Sequence, residues 1–260
     1  MAGGRLDRIL SRHGFGTRRD ARRLLGAGRV LVNGAAVRDP GFHFDMDADV
    51  LCVDGAEIIL KEHVYLMMNK PRNLVCAARD GLHGTVFDLL GDEYRRSFMG
   101  GSLHLVGRLD IDTEGLLLLT TDGTLTHRLL SPRTHVPKTY LAHLERAVPT
   151  AEQRRMRERF AEGIFVPREG NERGFEAQPA WLSFDSETAA RLVICEGKFH
   201  QVKRMFAAAG STVTFLRRLA VGALRLDESL APGGYRELSD EEISLLREPS
   251  ALPQAAPRIP

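Results

Sequence analysis

Three acids crowd the run Gly107-Arg108-Leu109-Asp110-Ile111-Asp112-Thr113-Glu114-Gly115, directly ahead of the apolar stretch Leu116 to Leu119. Carboxylates held beside a core strand can do one of three things. They can bind a cation, and the alternation of acids imitates the start of a calcium loop. The position that must then carry a bidentate glutamate is Thr121, so that reading fails. They can turn or cap the chain, a role open to Asp110 and Thr113. Or Asp110 can serve as a nucleophile or a general base. Spacing alone leaves the last two open. His127, His135 and His143 recur every eight residues, but they fall on a predicted helix, a Pro-bounded loop and a strand, without zinc-ligand spacing. No G-x-G-x-x-G or phosphate loop is present, and we expect neither metal nor cofactor.

The elements that must hold these residues can be read around them. Tyr65 to Met68 predicts an apolar strand leading into Asn69-Lys70-Pro71, and Leu116 to Leu119 a buried one. A turn at Asp122-Gly123 leads to a helix over Thr124 to Leu130, stopped by Pro132. Lys138 to Leu144 predicts a strand. Thr150 and Gln153 form a capping-box pattern ahead of a helix in which Met156 and Phe160 share a face. The polar stretch Arg168 to Gly174 predicts an exposed loop. Leu192 to Cys195 predicts a strand that turns at Glu196-Gly197 into a helix with Val202, Met205, Phe206 and Ala209 on one stripe, ended by Gly210.

The first quarter of the chain is built differently. Leu6, Ile9 and Leu10 mark one face of a short helix that leaves Arg5, Arg8 and Arg12 off the stripe and ends near Gly14. Thr17, with Asp20 three residues on, predicts a capped second helix to Gly26 that projects Arg18, Arg19, Arg22 and Arg23. Asn33-Gly34 between two apolar runs predicts a hairpin. Residues 1 to 38 hold nine arginines against Asp7 and Asp20, whereas residues 39 to 57 carry six acids and no Lys or Arg. Overall charge is only +2, so this asymmetry, and not the total, points to a face for a polyanion.

At 260 residues and 43% hydrophobic, the chain can bury a sizeable core. The first residues show no apolar run ahead of a small-residue cleavage site and no apolar run is long enough for a membrane span, so neither export nor membrane insertion is expected. Cys52, Cys76 and Cys195 are odd in number and far apart, which fits a reducing cytoplasm. The four-proline tail after Arg247 is expected to be disordered.

Several segments carry a resemblance. The run from Arg5 to Asp54, with RLDRIL, GRVLVNG and VDG, resembles an S4 RNA-binding domain. GRLDIDTEGLLLLTTDG is similar to the central motif of pseudouridine synthases, in the branch with a leading S4 domain that acts on ribosomal RNA. Asn69-Lys70-Pro71, Lys138-Thr139-Tyr140 and EGKFHQVKRMF from Glu196 to Phe206 resemble its other motifs in order. LAPGGYRELSDEEI from Leu230 to Ile243 is similar to the closing part of the member that modifies small-subunit RNA. One departure is Asn73 where the first motif usually has glycine, and asparagine tolerates the left-handed backbone needed there.

The resemblance implies an α+β protein: an S4-like module over residues 1 to 61, then a catalytic domain over 62 to 247 with a mixed, largely antiparallel sheet, then a tail over 248 to 260. It implies Asp110 as the catalytic carboxylate, Lys198 as its ion-pair partner and Tyr140 as an aromatic platform for a uracil turned out of its stack. Arg108 is expected to bind phosphate or fill the space left by the flipped base, and Leu216 to form an apolar wall. Arg5, Arg8, Arg18, Arg19 and Arg22 are expected to grip RNA. The partner implied is ribosomal RNA or a small-subunit assembly intermediate, met by a monomer with no cofactor, since the isomerisation is redox-neutral. Two rivals are a sister enzyme acting on 23S RNA and a non-catalytic assembly factor that keeps the fold for binding RNA.

Overall fold

The structure is a computed structural model that describes residues 3–58, 60, 63–92, 94–95 and 103–248. The expected junction at residues 61 and 62, and the expected disorder of the tail from residue 249 on, lie outside the described residues. The chain divides into two compact units. One is drawn from Met1–Tyr65, Phe87–Leu105 and Leu119–Asp122, the other from Leu66–Val86, Val106–Leu118 and Gly123–Pro260.

The first unit opens with β1 (Gly3–Arg5), α1 (Leu6–Arg12) and α2 (Arg18–Gly26). Thr17 caps α2 through the reciprocal box with Asp20 that the sequence predicts. Strands β2 (Val30–Val32) and β3 (Ala35–Ala36) flank a turn in which Asn33 and Gly34 both take positive φ, 51° and 80°. That is the twist a two-residue hairpin needs. β4 (His43–Asp45) pairs with β1, while β5 (Leu51–Val53) and β6 (Ala56–Ile58) complete a four-stranded sheet in the order β3-β2-β5-β6. Leu6, Ile9, Leu10, Ala21, Leu25, Val30, Phe44 and Leu51 form one buried cluster, so each helix buries the stripe that its periodicity marks.

The basic face of this unit is partly committed to an internal contact. Asp7 is fully buried, and Arg5, Arg18 and Arg22 converge on its carboxylate at 3.3, 3.1 and 3.2 Å. Their side chains remain about half exposed, so the cluster holds three guanidinium groups side by side while it neutralises one acid. Arg8 and Arg19 are exposed and unpaired among the described residues. Burial works to raise the Asp7 pKa, but hydrogen bonds from Arg5, Arg22 and Arg18 outweigh it and bring the pKa down to about 2. A carboxylate whose folded pKa lies below its unfolded value stabilises the fold above the unfolded pKa, and that stability is lost as pH falls through the folded one. The contribution, about 1 to 2 kcal/mol after allowing for solvent around the arginines, should therefore vanish between roughly pH 4 and pH 2. Urea melts across that range should show this loss in the wild type and not in Asp7→Asn.

The large sheet begins with β7 (Tyr65–Lys70), β8 (His104–Val106) and β9 (Glu114–Thr120), with a 3₁₀ turn over Val86–Leu89 between the first two. After α3 (Gly123–Leu130) come β10 (Lys138–Leu144), α4 (Thr150–Glu162), β11 (Ile164–Val166) and β12 (Phe175–Ala177). The chain continues through β13 (Trp181–Phe184), β14 (Ala189–Ile194), α5 (Gln201–Ala208), β15 (Val213–Val221), β16 (Leu224–Arg225), β17 (Tyr235–Glu237) and α6 (Asp240–Arg247). The strand order is β13-β14-β10-β15-β9-β7-β17, with β8 beside β9 and β16 beside β15; β11 and β12 form a separate hairpin. β10 runs antiparallel to both β14 and β15, whereas β15 meets β9 in parallel. This is the mixed sheet that the resemblance implies.

Burial along the strands follows their composition. β9 is buried at nearly every position, as its unbroken leucines demand, whereas β10 alternates, burying Tyr140, Ala142 and Leu144 and leaving Leu141 and His143 more open. One sequence expectation is corrected at α4. Thr150 lies inside the helix and Pro149 is its cap residue, with no side-chain cap bond; Gln153 instead donates to the Val148 carbonyl. Proline fixes φ near −61° just ahead of the helix, so the cap position falls one residue earlier than the Thr-Gln pattern suggests.

Candidate active site

Asp110 sits in the loop between β8 and β9, where the loop is pinned on both sides. On one side, β9 enters the sheet in parallel with β15 through Arg218↔Gly115. Gly115 has φ +99°, and any Cβ there would collide with the Arg218 carbonyl, so this crossing requires glycine. On the other side, Lys70 at the end of β7 is completely buried, and its ammonium donates to the carbonyls of Pro71, Asp110 and Thr113 at 3.0, 3.1 and 3.0 Å. Burial pushes the Lys70 pKa below its ordinary value, against the opposing pull of nearby acidic groups. Asn73 takes the left-handed conformation expected of it, φ 67°, and its N–H donates to the Ile111 carbonyl at 2.8 Å. The loop is thus held by its backbone, leaving the Asp110 side chain free to face the pocket.

That pocket, about 80 Å³, is lined by Arg108, Asp110, Tyr140, Ile194, Lys198, His200, Val202 and Leu216, among others. The structure therefore brings together Asp110, Tyr140, Lys198, Arg108 and Leu216, all of which the sequence nominates. Tyr140 on β10 and Leu216 on β15 are 8% and 4% exposed and form its apolar walls, whereas Arg108 and Lys198 are exposed at its rim.

The ion pair is not the expected one. Lys198 is held at 2.8 Å by Glu196, donates to the Glu176 carbonyl at 2.9 Å and lies over the Phe175 ring at 4.3 Å. It is Lys203 that meets Asp110, at 3.0 Å, and also Asp112, at 2.6 Å. His200 Nε2 stands 3.7 Å from the other Asp110 oxygen. The reason lies in how α5 begins. Gln201 accepts from the Lys198 N–H and donates to Glu196, tying the turn down, and His200 takes a left-handed conformation, φ 46°, as the cap residue. The first helical turn then points Lys203 at Asp110, while Val202, Met205 and Phe206 go into the core. A sequence signal was present: Lys203 flanks the buried stripe Val202, Met205, Phe206, a position that puts a cation at the edge of the packed face.

The arrangement can hold an ionised carboxylate with one oxygen bonded to an ammonium and aim it into a small pocket walled by an aromatic ring and a leucine. A charge-assisted bond of this kind fixes the direction of the carboxylate. Lys203→Met should lower kcat about 100-fold with RNA affinity changed no more than a few-fold, and Lys203→Arg should restore most of the rate. Equal loss of binding and rate would remove Lys203 from the reaction. Among the described residues, no group of three His, Cys, Asp or Glu side chains is placed to hold a metal ion, and no helix is long and apolar enough to cross a membrane.

The chain thus contains a small basic module and a sheet that carries an aspartate in a pocket walled by an aromatic ring and a leucine. Comparison with known proteins gives the class its name. Residues 64–208 match the RNA pseudouridylate synthase family and residues 4–50 the S4 domain. The uncharacterized RNA pseudouridine synthase YtzG of Bacillus subtilis is 41% identical over 95% of this chain and 100% of its own length. Ribosomal small subunit pseudouridine synthase A of Escherichia coli is 42% identical over 92% of this chain and 98% of its own. A crystal structure of a pseudouridylate synthase superposes with TM-score 0.61 at 35% identity, covering 93% of this chain and 99% of that one. The chain belongs to the S4-containing RNA pseudouridylate synthase family and is an isomerase.

Proposed function

We propose that the chain converts one uridine of 16S ribosomal RNA to pseudouridine, with Asp110 as the reacting carboxylate. The observation that carries this is the Asp110 carboxylate facing the Tyr140–Leu216 pocket with Lys203 bonded to one of its oxygens. The small-subunit target is supported by the Escherichia coli relative, whose name specifies the small ribosomal subunit.

The reaction breaks the bond between the ribose carbon and N1, rotates the uracil and joins the same carbon to C5, after which the C5 hydrogen leaves and N1 gains a proton. A carboxylate serves either by attacking a reacting carbon or by removing a sugar proton so that the base departs. Both routes need the carboxylate aimed at the sugar, which is the work of Lys203. A uridine stacked within folded RNA cannot present its reacting atoms to Asp110, so the base must be turned out into the pocket. Tyr140 then offsets part of the unstacking cost by stacking, worth roughly 1 to 3 kcal/mol per base. Arg108 at the rim is placed to hold the phosphate of the flipped nucleotide. Lys198 serves at the rim as a support of the β12 segment and not as the Asp110 counter-ion. The exposed Arg8 and Arg19, with the Asp7-bound arginines beside them, supply the sequence-independent grip on phosphates.

The test is to incubate the protein with unmodified 16S RNA, with small-subunit particles and with 23S RNA, then map pseudouridine by chemical adduct and primer extension. A single 16S site is expected. A site in 23S RNA alone would reassign the target, and binding without modification of any of them would leave an assembly factor.

A further inference from the structure

Side chains on neighbouring residues of a strand point to opposite faces of the sheet. Tyr140 on β10 and Leu216 on β15 line the reactive pocket, so their neighbours Thr139 and Arg217 belong to the other face, and there they line a second concavity of about 870 Å³. This is within the range of volumes that hold ligands and is much larger than the reactive pocket. Its lining includes Trp181, Arg191, Arg217, Arg225 and Glu228. Arg191 is already paired with Asp185 at 2.7 Å. Arg217 and Arg225 have no acceptor among the described residues, and the Nε of Arg217 is buried with no hydrogen-bond partner. The concavity thus carries two guanidinium groups that no acid among the described residues pairs, which suits an anion that the protein itself does not supply.

We infer that this rear face of the sheet binds a second, single-stranded segment of RNA, with a phosphate held by Arg217 and Arg225 and a base stacked on Trp181. The choice of occupant rests on charge and shape together. Two unpaired guanidinium groups oppose the single acid Glu228, and guanidinium forks match phosphate oxygens. The half-buried indole beside them offers the flat face on which any base stacks, which an acidic peptide would not need. The inference draws on the proposed function only for the kind of polymer. It gives the enzyme a contact that reads a neighbouring strand of a folded RNA without touching the reacting uridine.

Trp181 is the single tryptophan of the chain, so its fluorescence reports occupancy of this concavity alone. The probe is a short oligoadenylate, which contains no uridine and cannot be a substrate. We expect saturable quenching that weakens as salt rises, persists in Asp110→Asn, and is at least about tenfold weaker in affinity for Arg225→Ala and for Arg217→Ala. Arg225 is exposed, so its substitution should leave the thermal melt unchanged and keeps the test valid if Arg217→Ala is poorly folded. Absence of quenching, quenching indifferent to Arg225→Ala in a folded protein, or tighter quenching by oligoglutamate than by oligoadenylate would overturn the inference. Because the probe bypasses the reaction, failure here leaves the pseudouridine assay untouched, and failure of that assay leaves this one readable.

Discussion

Asp110→Asn should abolish pseudouridine formation, lowering the rate by about 10⁴-fold or more, while RNA affinity and the melting temperature stay close to wild type. The size of the effect follows from the chemistry. An amide of the same shape is neither a useful nucleophile nor a base at neutral pH, and among the described residues no second carboxylate lines the pocket. The small effect on folding follows from the structure. Asp110 is held in the loop by its carbonyl, which accepts from Lys70, and its side chain is about a third exposed. Its bond to Lys203 is partly shared with Asp112, which retains the lysine at 2.6 Å when Asp110 loses its charge. The measurement is single-turnover mapping of pseudouridine beside a binding titration with the same RNA. A fall in rate matched by an equal fall in affinity would make Asp110 a binding residue.

Lys70→Met should have the largest effect on stability. The methionine fills much of the same volume but leaves the buried Thr113 carbonyl and the part-buried Pro71 carbonyl without their donor, whereas the Asp110 carbonyl keeps the Thr113 N–H at 3.1 Å. Orphaning a buried acceptor costs about 1 to 3 kcal/mol before relaxation, so a loss of about 2 to 3 kcal/mol is expected, a large share of the stability of a marginally stable enzyme. Lys70→Arg should not restore it, because a planar fork cannot satisfy acceptors arranged around a single ammonium. Urea melts give the stability, and activity per folded molecule gives the second readout. Loss of activity beyond loss of folded protein would show that the lysine also sets the position of the Asp110 loop.

Sequence reasoning succeeded where the determinant was local. The Thr17–Asp20 box, the Asn33-Gly34 turn, the left-handed Asn73 and the buried leucines of β9 are each dictated by a few adjacent residues, and each is found in the structure. Asp110 and Tyr140 were nominated through the resemblance of their motifs, and the structure adds that they line one pocket together with Arg108 and Leu216. What could not be read was the partner of Asp110. Lys203 lies 93 residues on, and whether it or Lys198 turns inward depends on the left-handed residue His200 and on the glutamine that ties the turn. Lys70 shows the same gap. Its residue type suggests surface or substrate, and only the assembled sheet reveals a cage of carbonyls. The sequence puts the arginines of the first unit off the apolar stripes, but the shared hold of Arg5, Arg18 and Arg22 on Asp7 needs the crossing of α1 and α2 to be known.

The central claim, that this chain isomerises uridine in ribosomal RNA, is tested most directly by the fate of one hydrogen. Forming the bond from ribose to C5 must release the hydrogen carried there, so RNA transcribed with tritium at uracil C5 should lose it to water. We expect wild-type protein to release tritium from 16S RNA or its particles up to one equivalent per molecule. RNA bound tightly with its tritium fully retained, on 16S and 23S alike, would contradict the account.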